Sequence, residues 1–235
     1  MISRSRAPRG VGSILLAGAL IPLSVVSAFL YLPDDADQGF SQKIFYFHVP
    51  IALITYGTFA YGALAAAMYL RSRDPKWDLR SYVGIHAGTI WGTLTLITGA
   101  IWARVSWGVW WNWQDKQLNV FLILFLFYCA YFMLRFSIEE GERRMSFSAV
   151  YVLLGIGLIP LSILAVRIAS TLVHPVLFEP ASGETNMPGS FFVTFLIALT
   201  GLSALAVAMV RIELAGKRLA LRLREHERLL RGEDV

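Results

Sequence analysis

Apolar residues fall into six blocks along the chain, at residues 12–32, 49–70, 82–102, 119–136, 149–172 and 190–211, divided by short stretches that hold most of the charge. Each block is close to the ~20 residues that a helix rising ~1.5 Å per residue needs to cross a hydrocarbon core ~30 Å thick. The pattern predicts an all-α polytopic membrane protein with six transmembrane helices. It forms a single integral membrane domain over residues 1–235, with the lipid bilayer as its solvent. An even number of crossings puts both termini on one side. The first block is too long for a signal peptide and lacks a small-residue cleavage site, so it reads as a retained span.

Helix association in lipid depends on close backbone approach, and Gly84, Gly88 and Gly92 repeat at a spacing of four, which places them on one ridge of the third span. Pro22 and Pro160 lie inside spans, where each removes an intrahelical hydrogen bond and favours a kink. After the sixth block, residues 212–235 keep helical periodicity with mixed charge. This tail reads as an extension of the last helix or a segment lying on anionic lipid.

Composition agrees with the pattern: 56% of residues are hydrophobic and 16% charged, far from the balance of a soluble domain. A net charge of +5 would suit nucleic acid only if the cations formed one face, and here they punctuate apolar runs, so no nucleic-acid partner is expected. Their placement sets orientation instead. Arg4, Arg6 and Arg9, then Arg71 to Arg80, then Arg135 to Arg144, and finally Lys217 to Arg231 all fall on one side, which the positive-inside rule assigns to the cytoplasm of a cell inner membrane. The segments 33–48, 103–118 and 173–189 then face outward. The one cysteine, Cys129, has no partner for a disulfide or a CxxC redox motif.

The outward segments carry the unusual residues. Trp102, Trp107, Trp110, Trp111 and Trp113 are five of the chain's seven tryptophans, more than an interfacial aromatic belt requires. With Trp107, Trp110 and Trp111 at i, i+3 and i+4, the stretch predicts an amphipathic helix along the membrane surface with an indole face suited to a flat aromatic ligand. His48 stands two residues before Pro50, a first-turn proline, and so reads as lying just outside the second helix, where the helix dipole favours a neutral ring. His174 ends the fifth span on the same side. Two neutral imidazoles from separate helices can ligate haem iron on opposite sides, whereas a structural zinc would ask for about four ligands. His86, near the inner end of the third span, and His226, in the tail, receive no ligand role. Haem propionates need cations or N–H donors, for which Arg104 is preferred over Lys43 and Lys116. Arg167, within the fifth span, is about two turns from His174 and could reach the same ligand.

The run WGVWWNWQD, over Trp107 to Asp115, resembles the tryptophan-rich WWD signature of haem-handling proteins in cytochrome c biogenesis. Six spans, the YFHVP histidine and the TLVHP histidine are similar to the cytochrome c maturation protein C family, also called haem exporter protein C, over nearly the whole chain. The resemblance implies that haem b is held on the extracytoplasmic face by the loop 102–117 and by His48 and His174. It further implies that haem passes to a membrane-tethered haem chaperone, cytochrome c maturation protein E. This would happen in concert with the ABC-type transporter subunits, cytochrome c maturation proteins A and B, and a small accessory subunit, cytochrome c maturation protein D. The family's aspartate follows the last tryptophan directly, whereas here Gln114 intervenes before Asp115, and Val173 is an insertion in the second histidine motif. On this reading the protein is a transfer platform and not an enzyme. The competing reading is a b-type cytochrome with permanently bound haem. A transporter ranks last, because the spans hold almost no ionisable residue besides Arg167.

Overall fold

A computed structural model describes residues 10–35, 38–168 and 189–232, with the side chains of residues 166–168 excepted. Among the described residues the elements are helices: α1 Val11–Val26, α2 Phe45–Ser72, α3 Pro75–Trp107, α4 Lys116–Ser137, α5 Glu142–Leu154, α6 Leu158–Ile168 and α7 Gly189–Leu230. The protein is an all-α polytopic membrane protein. Among the described residues, five helical stretches are long and apolar enough to cross a bilayer: Val11–Tyr31, Phe40–Ser72, Lys116–Ser137, Glu142–Ala165 and Gly189–Leu230.

The third expected span is not among these five, although α3 is 33 residues long. His86, Thr89, Thr93, Thr95 and Thr98 dilute its apolar character. It packs against α2, α4, α5 and α7, and Thr89, Thr93 and Thr98 each return a hydroxyl proton to the carbonyl four residues earlier. A helix enclosed by other helices needs less apolar surface than one facing lipid.

The apolar blocks fall on these helices, the fifth running across α5 and α6, and polar caps set several of the ends. Asp74 caps α3 by accepting from the Lys76 N–H at 2.9 Å, with Pro75 in the first turn. That carboxyl is held below its ordinary value by the hydrogen bonds from the Lys76 side chain and backbone. Gly108, at φ 75°, ends α3, its N–H bonding to Arg104 O at 3.2 Å. Asp115 caps α4 by accepting from the Leu118 N–H at 3.1 Å. The 3-10 turn Gly155–Gly157 separates α5 from α6. Pro160 has no N–H to offer Ile156 O, so the proline interrupts its helix as its position predicts. By contrast, α1 runs through Pro22 to Val26 and continues as a π-helical turn, Ser27–Tyr31.

The Gly84–Gly88–Gly92 ridge is a packing seam. A Cβ added at Gly84 would lie 2.7 Å from the Gly62 Cα of α2, so the two backbones touch with no room for a methyl group. Gly88 receives the Phe59 ring of α2, and Gly92 faces Phe125 of α4. Phe59 in turn stacks on Tyr128, centroids 4.2 Å apart, within the main apolar core. At the end of the bundle where α2 meets α3, a buried pair locks α3 to α4: Arg135 donates to both Asp78 oxygens, at 2.8 and 2.7 Å. Nearby, His86 Nδ1 lies 2.9 Å from Glu213 of α7. Helix α7 has 42 residues, about 63 Å at ~1.5 Å per residue. It therefore continues well past any membrane core, as the periodicity of residues 212–230 predicts, and its last turns are exposed.

Candidate functional site

At the opposite end of the bundle, the π-helical end of α1, the start of α2, the end of α3 and the Trp-rich segment meet. The core here is Ala28, Leu32, Phe45, Tyr46, Trp102 and Phe195. Trp102, on α3, is 8% exposed, packs edge-on to Phe45 and donates from Nε1 to Gln38 Oε1 at 3.1 Å. A groove of about 630 Å³ opens beside it, with Phe29, Phe40, Phe47, Ile101 and Val105 among its walls. That volume falls within the ~300–1,000 Å³ usual for small-molecule and cofactor sites, and the aromatic lining matches a flat apolar ring.

The Trp-rich segment departs from expectation in its backbone. Only Trp102 and Trp107 are helical, and the stretch from Gly108 to Asp115 is irregular. The predicted helical face of Trp107, Trp110 and Trp111 is therefore not formed, because Gly108 terminates α3 and Asn112 starts a turn. Asn112 Oδ1 accepts from the Gln114 N–H at 3.0 Å and its carbonyl from the Asp115 N–H at 3.1 Å. Asn119 then ties the segment to α4 by donating to Trp113 O at 2.6 Å. An indole surface is formed nonetheless: Trp110 is 61% and Trp113 71% exposed, and Trp111 meets Trp113 edge-on at 5.9 Å. The Trp111 Nε1 and Ser106 Oγ atoms are buried without a hydrogen-bond partner among the described residues.

Asp115 is 1% exposed and caps α4. The acid of the motif here orders the end of the Trp-rich segment.

His48 sits differently from its expected position. Residues 40–44 form a 3-10 turn and α2 begins at Phe45, so His48 and Pro50 both lie inside the helix. Proline at the sixth helical position has no N–H to offer the Tyr46 carbonyl, so α2 passes through Pro50 with that one bond missing. His48 Nδ1 lies 2.9 Å from Thr98 Oγ1 of α3, and its ring meets Trp102 edge-on with centroids 5.6 Å apart. The structure thus brings His48 and Trp102 together, while Trp110, Trp111 and Trp113 follow on the segment that leaves α3. His174 and Val173 lie outside the described residues, as does the side chain of Arg167.

The cations separate clearly. Arg104 is exposed, bonds to Gly108 O and lies 6.0 Å from the Trp110 ring centre. Lys116 is exposed at the start of α4. Lys43, expected as a possible propionate partner, is instead 4% exposed, with its ammonium on Ala28 O at 3.0 Å, Leu32 O at 2.8 Å and Asp34 Oδ1 at 3.2 Å. An ammonium has three N–H donors, and all three are matched within the protein. Its acceptors sit at the π-helical end of α1, so Lys43, although it also lines the groove, spends its N–H donors on closing that helix end.

Sequence reasoning did not single out Gln38, Thr98, Gly99, Asn112 or Asn119. Asn112, inside the Trp run, was available as a turn signal. Thr98, four residues before Trp102, shares its helix face. Gln38 lies in a polar loop and carries no such signal.

Among the described residues, no three His, Cys, Asp or Glu side chains converge on a common point. The chain matches the family described as "Heme exporter protein C" over residues 9–229. It is similar to proteins of that name in Paracoccus denitrificans, 31% identical over 217 residues covering 90% of this chain and 89% of the relative. The Rhodobacter capsulatus protein of that name is 30% identical over 211 residues, covering 88% and 86%. The one in Bradyrhizobium diazoefficiens is 29% identical over 196 residues, covering 83% and 74%.

Proposed function

The chain belongs to the haem exporter protein C family, and we propose that it handles haem as cargo for cytochrome c maturation. In this reading it presents haem b on the extracytoplasmic face of the inner membrane and delivers it to a membrane-tethered chaperone, cytochrome c maturation protein E. The observation that carries the reading is the contact of His48 with Trp102, which also lines an aromatic groove, with exposed indoles on the segment that follows α3.

His48 supplies one axial imidazole and His174 the second. Trp110 and Trp113, with Trp102 at the base, rest against the macrocycle, and Trp107 and Trp111 hold the segment in place. Arg104 is the cation for a propionate. Asp115 serves by fixing the segment's exit into α4. A cargo must leave, and a site made largely of indole faces and two neutral ligands, open to one side, grips a porphyrin without enclosing it. The excess of Lys and Arg at the other end of the bundle supports a cytoplasmic position for both termini. Within an ABC-type export complex, cytochrome c maturation proteins A, B and D are the remaining partners. The protein itself performs no covalent chemistry on the haem.

The test is transfer. Purified protein loaded with haem is mixed with the chaperone in nanodiscs and the haem followed by absorbance. Departure only when the chaperone is present supports cargo handling. Haem that stays bound and cycles reversibly with a quinol favours a b-type cytochrome instead.

A further inference from the structure

The ring of His48 is held by a cradle on α3. His48 Nδ1 is 2.9 Å from Thr98 Oγ1. The same hydroxyl is 2.7 Å from Leu94 O and 3.3 Å from Thr95 O. A threonine hydroxyl owns one proton, and a carbonyl can only accept. Leu94 O is the nearest acceptor for that proton, and with the proton placed there the oxygen turns a lone pair to His48, which the Nδ1–H tautomer meets. Gly99 completes the fit: a Cβ there would stand 2.9 Å from His48 Cε1, so the ring edge lies against bare backbone. Trp102 closes another side edge-on.

We infer that Thr98 is a positioning residue for the haem: it fixes His48 as the Nδ1–H tautomer, so that the lone pair presented to iron is on Nε2, and it sets that nitrogen's donor strength. The inference rests on the reading of His48 as an axial ligand. The hydrogen bond made by the far nitrogen of a metal-bound imidazole fixes its tautomer and orientation and raises its basicity. A carboxylate in this role draws strongly on the N–H and strengthens the metal bond. A neutral hydroxyl whose own proton is already given to a carbonyl draws weakly, which suits a ligand that has to let its iron go.

Two readouts on the full chain in nanodiscs test this. The first needs no haem: histidine-selective ¹⁵N labelling reads which ring nitrogen is protonated at a pH where the ring is neutral, the His48 signal being identified by its absence in His48→Ala. The parent should show Nδ1–H. Thr98→Val, which keeps shape and loses the acceptor, should lose that preference, and Thr98→Ser should restore it. The second readout is haem titration and the midpoint potential. Thr98→Val should weaken haem binding by about 10-fold, the low end of the usual range because a neutral hydroxyl draws weakly. It should also move the midpoint to a more positive value, with Thr98→Ser returning both. An Nε2-protonated ring in the parent, or a Thr98→Val protein with unchanged tautomer and potential, overturns the inference. Full haem affinity in His48→Ala instead sinks the ligand reading on which it rests, and leaves the tautomer result intact, so the two failures are told apart.

Discussion

Replacing Lys43 by methionine separates a structural cation from a haem contact. The methionine keeps most of the stem's volume and removes the ammonium that bonds Ala28 O, Leu32 O and Asp34. Two carbonyls at the end of α1 lose their donor in a buried place, at ~1–3 kcal/mol each, for a total of about 2–6 kcal/mol. The Asp34 carboxylate is 58% exposed, so its share is ~0–1 kcal/mol, and Asp34→Asn should be nearly silent. Stability is read by detergent-induced unfolding, with Cys129, the one thiol and partly buried, reporting exposure to a thiol-reactive dye. At a detergent concentration where the variant is still folded, its haem affinity should equal the parent's. A Lys43→Met protein as stable as the parent but deficient in haem would refute the assignment and return Lys43 to the ligand shell.

Asp115→Ala should cost about 1 kcal/mol from the lost cap of α4, and the freed Trp-rich segment should show as weaker haem binding and shifted tryptophan fluorescence, with Asp115→Asn close to the parent in both. Gly84→Ala should destabilise by ~1–3 kcal/mol through the clash with Gly62. Gly57→Ala, where a Cβ meets nothing within 4 Å, should leave the melting temperature level or slightly raised. Arg135→Met strands a buried Asp78 carboxylate and should cost ~3–5 kcal/mol. Adding Asp78→Leu should recover most of that loss, and failure to recover would show that the pair matters through something other than an unpaired charge.

Long-range composition carried more of the molecule into the sequence than local geometry did. Apolar blocks located the helices because the bilayer demands them, yet α2 and α7 outrun their blocks, since Pro50 does not begin α2 and charge does not end α7. The glycine ridge was legible because four-residue spacing has one meaning on a helix. The conformation of the Trp-rich segment is not legible, because a 3.6 period of indoles looks the same whether or not Gly108 has already ended the helix. The bonding of Lys43 is not legible in the sequence, because its acceptors lie 11 and 15 residues earlier, on a helix end that no pattern announces. Asp78 and Arg135 are 57 residues apart and meet only once α3 and α4 pack. Thr98 resembled an ordinary threonine of a membrane helix, and its partner across α2 gave it a role.

The central claim, that haem is carried between imidazoles at the Trp-rich end, is tested most directly by the electron paramagnetic resonance and absorption spectra of haem-loaded protein. His48→Ala, His174→Ala and the controls His86→Ala and His226→Ala are compared with the parent. A low-spin bis-imidazole signal is expected in the parent and both controls, and its loss in either of the first two variants. The parent signal persisting in His48→Ala or His174→Ala, or vanishing in His86→Ala, contradicts the claim.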